Sequence, residues 1–233
     1  MAESDFKVMP IGYVLRKSAY EAYHGVIPLF LVGLVFSLVS LVILMPLLFG
    51  QPIFIWAGPL FVVPVWTAGV AVALPVALGQ RPRFQPFFAA LRRYLGRSLG
   101  LMALYLVMTW LVMTVWAFYR HTGGVAGMTF AIFELYAFAM FACAQLYTLP
   151  LMVKADLPVM KAIAMSTRLF LSHPMYTVAV LVQLASLAVV LSVTTVGLPL
   201  LFPGLAVVLL TNATLNLVGE LPVQQTAVRG QEQ

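Results

Sequence analysis

Residues Gly79–Ser98, GQRPRFQPFFAALRRYLGRS, decide how the rest of the chain is read. The stretch lies between two long apolar runs and carries Arg81, Arg83, Arg92, Arg93 and Arg97, five of the thirteen Lys and Arg residues in the 233-residue chain. From Phe84, apolar residues recur at Phe87, Phe88, Leu91 and Leu95, the spacing of one helical face, while Arg92, Arg93 and Arg97 fall on the other. A basic amphipathic helix of this kind suits a membrane surface. Its cations, so close to two apolar runs, place the loop in the cytoplasm, and the direction of every other run follows from it.

Composition agrees. With 63% hydrophobic and 9% charged residues and a mean hydropathy of +1.02, the chain holds more apolar surface than a soluble fold of this length encloses. It reads as a polytopic membrane protein. The net charge of +6 sits in short loops beside apolar runs, where positive-inside bias accounts for it, and no folded basic domain offers itself to nucleic acid. The single Cys143 excludes an intramolecular disulfide and a cysteine-based metal motif. Met1–Gly25 is mixed and charged and lacks the pattern of a cleavable signal.

Each crossing of a core about 30 Å thick needs about 20 apolar residues. Six such spans are expected, near 26–49, 52–78, 99–119, 125–153, 175–196 and 198–218, between an amphipathic segment at 1–25 and a flexible cytoplasmic tail at 220–233. This arrangement puts twelve of the thirteen cations on one side and only Arg120 on the other. Both termini are therefore expected in the cytoplasm. Three times a cytoplasmic amphipathic segment precedes a hairpin: Tyr13–Gly25, Phe84–Ser98 and Val159–His173. The second and third junctions superpose at an offset of 75, Leu74-Pro75 on Leu149-Pro150 and Arg93 on Arg168. The expected fold is an all-α polytopic bundle of six transmembrane helices in three hairpins, with three short helices lining its inner face.

The segment FQPFFAALRRYL at 84–95, preceded by Gly58-Pro59 and Thr67-Ala68, resembles the YesL-like family of bacterial membrane proteins. So do LPLMVKADL at 149–157, followed by a short helix and Pro174, and the late Phe202-Pro203-Gly204. The resemblance covers roughly 28–218. It implies a multi-pass protein of the bacterial inner membrane, often encoded near sugar-uptake permeases, and brings no activity or functional residues with it.

Glu134 is the carboxylate inside the expected spans, and an intramembrane ionisable group is a default candidate for a proton or cation site. Twenty residues from Lys154, at about 1.5 Å each, it falls near the outer interface, where pairing with Arg120 or His121 or simple hydration is the preferred account. Gln145 lies on nearly the same face and deepens the functional alternative. Gln183 and Ser186, and the stripe Thr211-Asn212-Ala213-Thr214-Leu215-Asn216, have the same two readings, with helix packing preferred over substrate binding. Pro59, Pro64 and Pro75 interrupt the second span and Pro199 and Pro203 the sixth. They read as kinks before they read as ion-coordinating breaks. Trp56, Trp110, Trp116, Tyr119, Tyr136 and Tyr147 read as interfacial anchors.

His24, His121 and His173 stand singly, and no phosphate loop or catalytic triad spacing occurs, so neither an enzyme nor a cofactor is expected. Glu21-Ala22-Tyr23-His24-Gly25 faintly resembles a loop of importer permeases, but it precedes the first span, and coincidence is preferred. Two functions remain. In the preferred one, Arg81, Arg83, Arg92, Arg93, Arg97, Lys161 and Arg168 bind anionic lipid or a permease subunit, and the bundle assists sugar uptake or self-associates. In the other, Glu134, Gln145, Gln183 and Asn212 mark a small-solute or ion path through the bundle.

Overall fold

The computed structural model describes residues 8–48, 53–81, 83–122, 124–194 and 197–219, so the tail lies outside the described residues. Among them the chain is all-helical: α1 (Ile11–His24), α2 (Val26–Leu48), α3 (Ile53–Ala77), α4 (Pro86–Thr122), α5 (Val125–Ala144), a 3₁₀ turn (Gln145–Tyr147), α6 (Thr148–Lys154), α7 (Val159–Ser172), α8 (Pro174–Ser192) and α9 (Gly197–Val218). Among the described residues, five stretches are long and apolar enough to cross a membrane: Val26–Ile43, Pro86–Tyr119, Gly127–Lys154, Pro174–Ser192 and Gly197–Val218. In α3 the apolar stretch is Phe61–Ala77. Large apolar side chains cover the outside, with Phe133 70%, Val189 66% and Trp110 60% exposed. Such a surface is stable in lipid and not in water. The chain is an integral membrane protein.

Helices α2, α3 and α9 form the centre, and α9 is buried over most of its length. Two glycines allow α2 and α9 to meet at their backbones. A Cβ at Gly33 would overlap the Leu200 carbonyl oxygen, and one at Gly204 would stand 2.6 Å from the carbonyl oxygen of Leu29. Close approach through small residues is the usual means by which helices associate in lipid. Gly69 of α3 faces the same crossing, where a Cβ would come 3.0 Å from Val32.

Helix α9 continues through Pro203, and α3 spans Ile53–Ala77 without interruption, so neither helix has an ion-coordinating break at its prolines. Pro203 has no amide hydrogen to offer the Pro199 carbonyl one turn earlier. Ser37 of α2 replaces it, its hydroxyl lying 2.7 Å from that oxygen and 2.8 Å from the Gly33 carbonyl.

The second amphipathic segment differs from its two counterparts. α1 and α7 end before α2 and α8, at Gly25 and His173, but α4 is one helix of 37 residues. At about 1.5 Å per residue it is about 55 Å long, against a core of about 30 Å. The basic segment is therefore a continuous extension of the apolar helix, its first four turns, and not a separate helix. At the offset of 75, Leu99 occupies the position of Pro174, and leucine allows the helix to continue where proline forces a new start. The buried face is also rotated from the expected one. Phe87, Ala90, Tyr94, Ser98 and Leu101 are buried, while Phe88 and Leu95 are exposed. Ser98 donates to the Thr67 hydroxyl at 2.9 Å, joining α4 to α3.

The fourth expected span, 125–153, is not one helix. It breaks at the 3₁₀ turn just before Pro150, which has no amide hydrogen to offer the Leu146 carbonyl. Ser166 of α7 donates to the Ala144 carbonyl at the break. Tyr147, expected at the interface, is fully buried and donates to Thr177 of α8 at 2.9 Å. The interior is therefore stitched across helices by single hydroxyls.

Candidate functional site

Three places bring polar chemistry together. The first lies where α1 crosses the ends of α3 and α9. Helix α1 is a short amphipathic element whose buried stripe, Val14, Lys17, Ser18, Glu21 and Ala22, follows helical spacing but includes two charges. Lys17 is 4% and Glu21 6% exposed. Lys17 Nζ sits 3.2 Å from the Glu21 carboxylate and donates to the Ala77 carbonyl at 3.1 Å, occupying one of the acceptors left open at the end of α3. Asn212 of α9 donates through Nδ2 to Glu21 at 2.6 Å and to Ser18 at 3.0 Å. Its Oδ1 is buried without a partner. Burial holds the Lys17 ammonium below its ordinary pKa of 10.5, an effect that the Glu21 carboxylate only partly offsets.

One turn on, Asn216 fastens the start of the chain. It accepts from the Met9 amide and donates to the Met9 carbonyl, each at 3.1 Å, and donates to the Tyr176 hydroxyl at 3.0 Å. The polar stripe of α9 thus ties α1 and α8 to the central helix.

The second place is the cationic face. Arg81, Arg83, Arg92, Arg93, Lys161 and Arg168 are exposed and Arg97 is half-buried. Asp156, in the turn between α6 and α7, receives Arg97 at 2.5 Å and Arg93 at 2.8 Å. Hydrogen bonds from Arg97, then Arg93, hold its carboxyl below the usual carboxylate range. Asp156 has a φ of +50°, a left-handed conformation that aspartate tolerates better than branched residues do. The ion pairs fasten the α4 extension to the α6–α7 turn, and Tyr94 adds a hydrogen bond to the Val153 carbonyl at 3.3 Å.

The third place is a cavity of about 400 Å³ between α3, α4, α5 and α9. Trp66, Tyr105, Thr109, Phe138 and Gln145 are among its lining residues. Gln145, in the 3₁₀ turn, is 6% exposed. Its Oε1 accepts from the Thr148 hydroxyl at 2.7 Å, and its Nε2 has no partner.

The four intramembrane residues singled out from the sequence are not gathered at one point. Gln145 lines the cavity, Asn212 belongs to the α1 cluster, and Glu134 and Gln183 are half-buried on α5 and α8. The side chains of Arg120 and His121, the expected partners of Glu134, lie outside the described residues. Sequence reading missed Lys17, Ser18 and Glu21, although their spacing from Val14 placed them on one face. It also missed Asp156, an acid in a loop between basic segments.

No family model, curated protein or solved structure matches this chain. The fold and the apolar exterior define a class, the polytopic helical membrane proteins. Within it, the chain is distinguished by a buried Lys–Glu–Asn cluster and a cavity that holds an unpaired amide.

Proposed function

We propose that this is a six-span protein of the bacterial inner membrane, with both termini in the cytoplasm and a noncatalytic, accessory role in solute uptake. In this reading α3 also crosses, as the second of the six spans, and α1, the α4 extension and α7 form a cytoplasmic layer. The observation that carries the role is the distribution of charge. The cations of the α4 extension and α7 are exposed on one layer, and its one described exposed acid, Asp156, is already held by Arg93 and Arg97. That layer suits anionic headgroups or an acidic surface on a permease subunit, with each cation near the membrane contributing about 1 kcal/mol. The interior supports the same choice, because its polar side chains mostly serve contacts between helices. The resemblance to the YesL-like family adds sugar uptake as the process served.

Co-purification from native membranes tests the reading, with a permease subunit expected in stoichiometric amount. Recovery without a partner, together with solute flux by the protein alone in liposomes that Glu134→Gln abolishes, would replace it with the transporter reading. The Gln145 cavity is the observation that favours that second reading.

A further inference from the structure

We propose that the cavity between α3, α4, α5 and α9 binds a neutral, largely apolar molecule that carries a carbonyl oxygen into the bilayer core, of the quinone or ketone class, with the Gln145 amino group as its hydrogen-bond donor. Size, polarity and depth support the assignment independently.

The volume, about 400 Å³, falls within the range of small-ligand sites. Trp66, Tyr105, Phe138 and Phe141 line it, which suits a ring or an unsaturated chain, and no lining residue carries a charge. An ionic ligand would be left without a counter-charge at a depth where that is costly. A plain hydrocarbon fills the space but leaves the amide unsatisfied. The Thr148 hydroxyl fixes the oxygen end of the Gln145 amide, so the free amino end requires an acceptor. A buried donor without one is unfavourable, and a carbonyl oxygen is the neutral group that meets the need.

Depth separates a quinone-type carbonyl from a lipid ester. This step rests on the six-span reading, which places Lys154 at the cytoplasmic boundary. The 3₁₀ turn and α6 between Gln145 and Lys154 rise roughly 15 Å, about half of a 30 Å core. Phospholipid esters stay in the interfacial region, whereas a neutral ring on an apolar tail reaches the middle.

The test uses the full chain in nanodiscs, titrated with a decyl-substituted benzoquinone and read by quenching of Trp66 fluorescence against a Trp66→Phe control. Saturable quenching at one quinone per chain is expected. Gln145→Leu, which keeps the bulk and removes the donor, should weaken it about three- to tenfold, the worth of one neutral hydrogen bond. Decylbenzene, with the same tail and no carbonyl, should bind as weakly to wild type as the quinone binds to Gln145→Leu. If Gln145→Leu does not fold, Ala142→Phe, which reduces the cavity without adding a fluorescent indole, should remove saturation. Quenching that never saturates, equal binding of the two compounds, or native protein whose cavity yields only phospholipid by mass spectrometry would overturn the proposal. Failure here with the topology intact removes the cavity assignment alone, whereas inverted topology removes the depth step whatever binds.

Discussion

Asn212 donates to the Glu21 carboxylate at 2.6 Å, joining the last helix of the bundle to the first across 191 residues of sequence. The contact encloses a charge pair that would otherwise belong in water. Removing one member of a buried pair strands the other, at a cost of about 3–5 kcal/mol. Glu21→Leu should therefore lower the unfolding midpoint strongly, because the buried Lys17 ammonium loses the carboxylate that partly offsets its desolvation, while Glu21→Leu combined with Lys17→Met should recover much of the loss. A double variant as unstable as the single one in detergent melts would contradict the pairing.

The same cluster sets a pH dependence. Burial depresses the Lys17 pKa below 10.5, so between the folded value and 10.5 the unfolded chain binds more protons than the folded one. Stability rises with pH across that window and levels above it. The difference in midpoint between wild type and Lys17→Met, followed from neutral to alkaline pH, should grow in favour of wild type. A flat or falling difference would mean that Lys17 is not desolvated.

Gly33 and Gly204 bring α2 and α9 into backbone contact, while a Cβ at Gly96 or Gly100 would meet nothing within 4 Å. Gly33→Ala should separate the central helices and destabilise by several kcal/mol, in the range of overpacked cores. Gly96→Ala and Gly100→Ala should be neutral or stabilise by up to about 1 kcal/mol, since alanine is the better helix former. Equal midpoints for Gly33→Ala and Gly96→Ala would place the crossing elsewhere.

Ser37 and Pro203 are coupled through a third residue, the Pro199 carbonyl. Ser37→Ala should cost about 1 kcal/mol in wild type and less in a Pro203→Ala background, where α9 regains its own donor. A double-mutant cycle measures the difference. Strict additivity would show that the hydroxyl does not serve that carbonyl.

Much of the helical order is legible in the sequence, because lipid leaves long apolar helices as almost the only way to satisfy the backbone. The boundaries of α2, α8 and α9 fall within a few residues of the hydropathy limits. What escaped depends on partners distant in sequence or on one local residue. Lys17 and Glu21 look like the wet side of an amphipathic helix until Asn212 and Ala77 are seen to cover them. The break at Gln145 falls just before Pro150, yet an apolar count does not register it, and with it the one unpaired amide of the cavity stays hidden. The α4 extension was obscured by assuming that all three amphipathic segments are separate, when Leu99 lacks the stop that Pro174 supplies.

The central claim is the proposed orientation, with the arginine-bearing end of α4 inside the cell, and cysteine accessibility measures it directly. In a Cys143→Ala background, Gln85→Cys should react with a membrane-impermeant maleimide only after permeabilisation, and Gly124→Cys should react in intact cells. Labelling of Gln85→Cys in intact cells, with Gly124→Cys protected, would contradict the account.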